Sequence, residues 1–189
     1  MNTCRKFPTI AATLLLVLGT AAGAVHAGER HTERTRQGPY GGGVAVQRDR
    51  GDGTQQRGVQ RYGPAGRSYD AQRSRSYDPD TGSYRGSASR AVTGLNGQTA
   101  SRQREVTRED GQATVTRQTT GPNGQTSTYQ RSRGDGQSEA VWTGPNGRTF
   151  SRSRAVERGD QGVTVHTQST GPQGGTRDRS VTYVPAGGE

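Results

Sequence analysis

Short polar stretches with β-branched or aromatic residues at alternate positions fill the chain from about residue 90 to residue 184. Val163 to Thr167 reads V-T-V-H-T, and Ser180 to Val184 reads S-V-T-Y-V. β-Branched and aromatic residues with a period of two favour strands over helices. The pattern predicts strands of about 7 to 12 residues that are separated by glycine-rich turns.

One five-residue phrase supplies every second turn. A proline presets the first corner of a type I turn, and a final glycine takes the left-handed conformation that closes a three-residue hairpin. Successive phrases begin 23 to 31 residues apart, which is a repeat of about 25 residues. The phrase reads T-G-P-N-G or a variant of it at residues 37–41, 62–66, 93–97, 120–124, 143–147 and 170–174.

A second, acidic turn lies between each pair of phrases, as in Gly51-Asp52-Gly53, Glu109-Asp110-Gly111 and Gly134-Asp135-Gly136. Each repeat therefore has two turns and two arms. Arms joined by tight turns pair as antiparallel neighbours. The predicted fold is all-β: a repetitive antiparallel β-meander of up to eleven strands, with a flexible or disordered N-terminal portion.

Residues 1–27 have the features of a secretory signal peptide: a basic start at Arg5 and Lys6, an apolar stretch, and a cleavage site between Ala27 and Gly28. The sequence predicts a periplasmic or secreted protein with no stable membrane insertion after cleavage. A flexible Gly/Arg-rich segment is expected at 28–60, the hairpin repeats at 61–184 and a C-terminal tail at 185–189.

Large apolar residues are scarce after the signal peptide. One Leu, one Phe, twelve Val and no Ile are present there, about 9% of residues 28–189. Chains with so little apolar content and high charge often stay disordered. A largely disordered protein without a specific ligand therefore remains an alternative to the meander, and a conventional enzyme domain is not expected.

Arginine is the only basic residue type after the signal peptide, with 24 Arg against 16 acidic residues, a net charge of +8. Arg-x-Arg pairs follow the turn phrases at even offsets from the first glycine of each phrase. Residues two apart in a strand share a face, so the pairs predict a basic ladder on alternate strands. Arg57, Arg90, Arg117 and Arg148 are expected outside that ladder. The pairs are Arg48 and Arg50, Arg73 and Arg75, Arg102 and Arg104, Arg131 and Arg133, Arg152 and Arg154, and Arg177 and Arg179.

Such a ladder suits anionic partners, because guanidinium groups make two-pronged contacts with carboxylate, sulfate and phosphate. Anionic polysaccharide, lipopolysaccharide or extracellular DNA is the expected partner of an exported, non-catalytic structural or interaction protein. A solvated face that prevents aggregation is the competing interpretation. Tyr62, Tyr69, Tyr77 and Tyr84 alternate with arginines, and they are either half-buried strand residues or a stacking surface.

Three Arg-Gly-Asp triplets, at 50–52, 133–135 and 158–160, raise the alternative of a secreted adhesin-like surface protein, although an arginine before an acidic turn accounts for them equally well. No metal site, cofactor site or catalytic constellation is expected. His31 and His166 have no cysteine or clustered acids with them in the sequence, as a zinc site requires.

The T-G-P-N-G phrases between residues 93 and 175 resemble repeats in uncharacterised exported bacterial proteins. The single phrase Tyr77-Asp78-Pro79-Asp80-Thr81-Gly82 is similar to the tyrosine-aspartate repeats of large secreted toxin shells. Neither resemblance implies an activity for this chain.

Overall fold

A computed structural model of the chain describes residues 29–38, 40–160 and 162–184. Within them, twelve strands form one antiparallel sheet in which each strand pairs with the next along the chain. The predicted all-β meander is therefore confirmed. The strands are β1 (Arg30–Gln37), β2 (Gly43–Gly51), β3 (Thr54–Tyr62), β4 (Ser68–Tyr77), β5 (Tyr84–Thr93), β6 (Thr99–Glu109), β7 (Gln112–Thr120), β8 (Thr126–Gly134), β9 (Gln137–Thr143), β10 (Thr149–Gly159), β11 (Gly162–Thr170) and β12 (Thr176–Tyr183).

The sheet begins earlier in the chain than the sequence suggests. The described residues of the segment 28–60, expected to be flexible, form β1, β2 and most of β3, which gives twelve strands instead of at most eleven. Val46 of β2 lies opposite Val59 of β3. This cross-strand apolar contact helps to hold β2 and β3 together within the segment. The predicted signal peptide, its cleavage site and the tail 185–189 lie outside the described residues.

The T-G-P-N-G phrases from residue 93 onward close hairpins in the predicted way, whereas in the looser phrase at 62–66 both Ala65 and Gly66 have positive φ, 62° and 78°. In the turn between β7 and β8, Gly121 donates its N–H to the carbonyl of Gln125 at 2.8 Å, and Gly124 donates to the carbonyl of Gly121 at 3.0 Å. Gly124 has a φ of 75°. The threonines that flank the turn, Thr120 and Thr126, lie directly opposite each other, with their hydroxyl oxygens 3.2 Å apart. The threonine that opens the phrase thus also forms half of the pair that closes the hairpin.

The acidic turns after β2, β6 and β8 are tighter. Glu109 of β6 lies opposite Gln112 of β7, so only Asp110 and Gly111 connect the two strands. Both residues have positive φ, 50° and 75°. Two central residues with positive φ characterise the type I′ turn, which follows the right-handed twist of a hairpin. The T-G-P-N-G turns lie at one end of the sheet, and the acidic turns lie at the other.

The sheet is one layer thick and has almost no core. Val59, with 9% of its surface exposed, is the only buried hydrophobic residue among those that the structure describes. Trp142 and Phe150, the largest side chains on β9 and β10, are 42% and 40% exposed. The ladder of backbone hydrogen bonds between neighbouring strands therefore carries most of the order, and side chains on both faces remain available to solvent or to a partner.

Replacing Gly124 with valine should destabilise the β7–β8 hairpin, because an L-residue in the left-handed region costs about 1–2 kcal/mol. An added Cβ would meet no atom within 4 Å, so the cost arises from the backbone and not from crowding. Urea unfolding followed by circular dichroism, together with limited proteolysis around residue 124, measures the loss.

Gln125→Val is the matched control, since the side chain of Gln125 is exposed and its residue has no positive φ. We expect its stability to stay within about 0.5 kcal/mol of the parent protein. Equal midpoints and equal protease sensitivity for the two variants would contradict the role assigned to the glycine.

Candidate anion-binding face

The register of the sheet assigns every strand residue to one of two faces. Side chains alternate between the faces along a strand, and residues directly opposite each other on antiparallel neighbours share a face. Following the opposed residues from Val59 through all twelve strands defines the face on which Val59 lies, named here the arginine face. The other side is named the acidic face.

Arginine is almost confined to one side of the sheet. Of the 22 arginines within strands, 21 lie on the arginine face, and only Arg85 lies on the acidic face. No aspartate or glutamate in a strand shares the arginine face. The 21 residues are the twelve arginines of the predicted pairs together with Arg30, Arg34, Arg36, Arg57, Arg61, Arg90, Arg108, Arg117 and Arg158.

Strand carboxylates show the opposite distribution. All eight lie on the acidic face, among serine, threonine and glutamine side chains, where hydroxyl pairs such as Ser74 with Ser87 at 2.7 Å link neighbouring strands. The eight are Glu33, Asp49, Asp70, Glu105, Glu109, Glu139, Glu157 and Asp178. The sheet therefore separates positive from negative charge across its thickness.

The predicted pairs occupy the even-numbered strands β2, β4, β6, β8, β10 and β12, one pair on each. They all lie on the arginine face. The even offset of each arginine pair from the first glycine of its turn therefore corresponds to a position on one side of the sheet. Ten of these twelve residues are exposed, and Arg75 and Arg102 are half-buried.

Three arginines expected outside the ladder lie within it. Arg57, Arg90 and Arg117 stand on the odd-numbered strands β3, β5 and β7, directly opposite Arg73, Arg102 and Arg104 on the same face. The expectation was wrong because parity was counted only from the T-G-P-N-G turns. Arg148 lies in a turn, as expected.

Most large apolar side chains share the arginine face. Tyr69, Tyr77 and Tyr84 lie there, whereas Tyr62 lies on the acidic face opposite Gly43. The guanidinium carbon of Arg117 is 5.4 Å from the ring centroid of Tyr129, and Arg61 and Arg108 lie in the same way over Tyr69 and Tyr84, at 5.7 and 5.8 Å. Each is a cross-strand pair in which the aliphatic stem of arginine covers an aromatic ring.

The charges of the arginine face are not neutralised within the described chain. The two ion-pair contacts among the described residues are both on the acidic face, and each joins a histidine to a carboxylate: His31 to Asp49, and His166 to Glu157 at 3.6 Å. No arginine pairs with a carboxylate among the described residues. The Nε–H groups of Arg75 and Arg117 are enclosed and have no acceptor there.

Arginines also face one another directly. Partial loss of hydration, and then the charges of Arg117, Arg90 and Arg104, hold the pKa of Arg102 below its ordinary value. Like charges directly opposite each other destabilise a sheet. The opposed pairs are Arg30 with Arg50, Arg48 with Arg57, Arg57 with Arg73, Arg90 with Arg102, and Arg104 with Arg117.

The Arg-Gly-Asp triplets all end in acidic turns at the same end of the sheet. Asp52 and Asp135 have φ of 40° and 49°, as the first residue of a type I′ turn requires. The longer acidic turn, between β4 and β5, is ordered by the carboxylate of Asp78, which accepts hydrogen bonds from the backbone N–H of Asp80 and the hydroxyl of Thr81, both at 2.9 Å. No group of three or more potential metal ligands occurs in the described part of the chain.

The sequence pattern revealed the even strands and missed the odd ones. An alternation of arginine with an acid, as in Arg48-Asp49-Arg50 and Arg104-Glu105, places opposite charges on opposite faces of any strand. The same rule does not apply to β3, β5, β7 and β8, which contain arginine but no acid, so the face of their arginines follows only from the register.

Comparison of the chain with protein-family models, with curated proteins and with solved structures finds no match. Across the residues that the structure describes, no helix has the length and apolar character needed to cross a membrane.

Replacing Arg57 with glutamine should stabilise the free protein by about 0.5 kcal/mol at low salt, because Arg57 stands between Arg48 and Arg73 on the neighbouring strands. Adding salt should reduce this gain, since screening weakens the repulsion between exposed charges. Urea unfolding at two ionic strengths measures both effects.

Arg85→Gln on the acidic face is the control. It removes the same charge, but Arg85 lies opposite Ser76 and Thr107 and not opposite another arginine. Stabilisation equal to that of Arg57→Gln would assign the effect to net charge and would contradict a local repulsion.

Proposed function

We propose that the protein is an exported, non-catalytic repeat protein of the cell envelope or extracellular space, and that its arginine face binds anionic polymers. The observation that carries this proposal is the separation of charge: 21 strand arginines and no strand carboxylate share one face. Anionic polysaccharide, lipopolysaccharide and extracellular DNA are partners of this chemistry.

The physical reason is that the arginine face holds positive charge that no carboxylate among the described residues neutralises. A carboxylate, sulfate or phosphate between two opposed arginines, such as Arg104 and Arg117, would replace their repulsion with two charge-assisted contacts. Binding of a polyanion should therefore stabilise the sheet as well as occupy it.

A solvated face that only prevents aggregation explains less. Charges placed on both faces, or arginine alternating with acid along one face, would keep the sheet soluble and would allow cross-strand ion pairs. Instead, Asp49 projects from β2 to the opposite side from Arg48 and Arg50. The described part of the sheet therefore lacks stabilising cross-strand ion pairs between arginine and acid, and the positive charges stay together on one face.

Export is supported by the sequence of residues 1–27 alone. An extracellular or periplasmic location makes cytoplasmic nucleic acid an unsuitable partner. Since no base-reading motif is present, affinity should follow charge density and not nucleotide sequence.

The test compares two triple variants of equal charge in binding to duplex DNA and to dextran sulfate, measured by titration calorimetry. Arg131, Arg133 and Arg152→Ser removes three positive charges from the arginine face, and Arg85→Ser with Gln72→Glu and Gln130→Glu lowers the charge by the same amount on the acidic face. We expect the first variant to bind markedly more weakly and the second to bind like the parent protein.

Salt dependence gives an independent measurement. Each lost DNA contact should lower the slope of log affinity against log salt concentration by about 0.9, so the face variant should lose up to about 2.7. Equal weakening in both variants would reduce the proposal to bulk charge. Absence of binding by the parent protein at about 50 mM salt would refute it.

A further inference from the structure

Three of the predicted pairs form a regular lattice in the C-terminal half of the sheet. Arg131, Arg152 and Arg177 lie in one row across the strands, linked through opposed Ala140 and Ser169. A parallel row contains Arg133, Arg154 and Arg179, linked through Ser138 and Thr167. Arginine thus stands on β8, β10 and β12, and a small residue stands between each two.

The alignment depends on a compensation between sequence and register. The pairs on β8, β10 and β12 begin 10, 8 and 6 residues after the first glycine of the preceding turn, so the turns alone do not align them. The strands are staggered: Thr143, at the end of β9, lies opposite Thr128 and not Thr126, the first residue of β8. The decreasing offsets cancel the stagger and keep the arginines in register across the strands.

The lattice therefore has fixed dimensions. Arginines in a row are two strand spacings apart, about 9.5 Å, and the two rows are about 6.7 Å apart along the strands. The second row continues to β6, because Arg133 lies opposite Ala113, which lies opposite Arg108. Four arginines then repeat at one interval over about 29 Å.

We propose that this lattice binds a linear acidic polysaccharide with one anionic group per disaccharide, lying across the strands. Two strand spacings correspond to the length of one extended disaccharide, so consecutive anionic groups meet consecutive arginines. The small residues between the arginines, Ser138 and Thr167 in one row and Ala140 and Ser169 in the other, leave room for the uncharged sugar. This inference rests on the proposed function and narrows its ligand class.

Other polyanions match the interval less well. Duplex DNA carries a phosphate about every 3.4 Å along each strand, so most of its charges would lie between the arginines. A polymer with a carboxylate on every sugar would place half of its charges over the small residues. Both polymers can bind the arginine face through its total charge, but the spacing of the lattice gives neither of them additional affinity.

The test moves one arginine sideways without changing composition, net charge or face. Arg152→Ala with Ala140→Arg exchanges two directly opposed residues and shifts a lattice arginine by one strand. Arg73→Ala with Ala88→Arg makes the same exchange between β4 and β5, outside the lattice. Arg154→Ser with Ser138→Arg is a second lattice exchange, in case the first fails to fold by circular dichroism.

Each protein is titrated at one ionic strength with three oligomers of equal total charge: a hyaluronate, with one carboxylate per disaccharide, an oligogalacturonate, with one per sugar, and a DNA duplex. We expect a lattice exchange to weaken hyaluronate binding about tenfold, because about one charged contact is lost. The affinity for the other two oligomers should change by no more than about twofold. The control exchange should change none of the three.

The possible outcomes separate the two proposals. If the lattice and control exchanges act alike, or if all three oligomers lose affinity equally, the lattice is not a site and only the general polyanion binding stands. If the parent protein binds DNA more tightly than hyaluronate at equal charge, the ligand class is a nucleic acid and the inference is wrong. If no oligomer binds the parent protein, the proposed function itself fails.

Discussion

The ladder of backbone hydrogen bonds is the interaction on which the rest of the structure depends. Each of the twelve strands pairs with its chain neighbour through almost its whole length, whereas only Val59 is buried among the hydrophobic residues described. Side-chain burial therefore imposes few constraints on which residues can occupy the two faces. Turn geometry imposes more, because the strands pair correctly only if residues such as Gly124 and Asp110 accept a positive φ.

A sheet without a core can give its two faces different chemistry. In a layered domain one face must be apolar, and charge is restricted to the other. Here both faces are accessible, so Arg48 and Asp49, adjacent in the chain, serve opposite sides of one layer. The repulsion between opposed arginines is tolerated because the ladder, the threonine pairs at the turns and the arginine stems over Tyr69, Tyr84 and Tyr129 stabilise the same strands.

The sequence predicted the elements well and their alignment only in part. The turn phrases established the hairpins from Gly94 to Gly175, because their chemistry is local and repeats. The sequence did not establish β1 to β3, since the phrase at 37–41 is a loose copy and the segment has few apolar residues, of which Val46 and Val59 meet only once the strands are paired. The alignment of the lattice rows could not be predicted either, because a stagger between strands is a property of the register and not of any single turn.

Duplication of a repeat does not by itself account for the one-sided distribution of charge. Copying a hairpin would conserve the Arg-x-Arg pairs of the even strands, which recur at similar places. The arginines of the odd strands do not recur: β3 has Arg57 and Arg61, β7 has Arg117 alone, and β9 and β11 have none. Except for Arg85, the arginines of the odd strands nevertheless lie on the same face as the pairs, and every strand carboxylate lies on the other. A constraint that acts on the face as a whole, such as a partner of negative charge, accounts for both the repeated and the unrepeated positions.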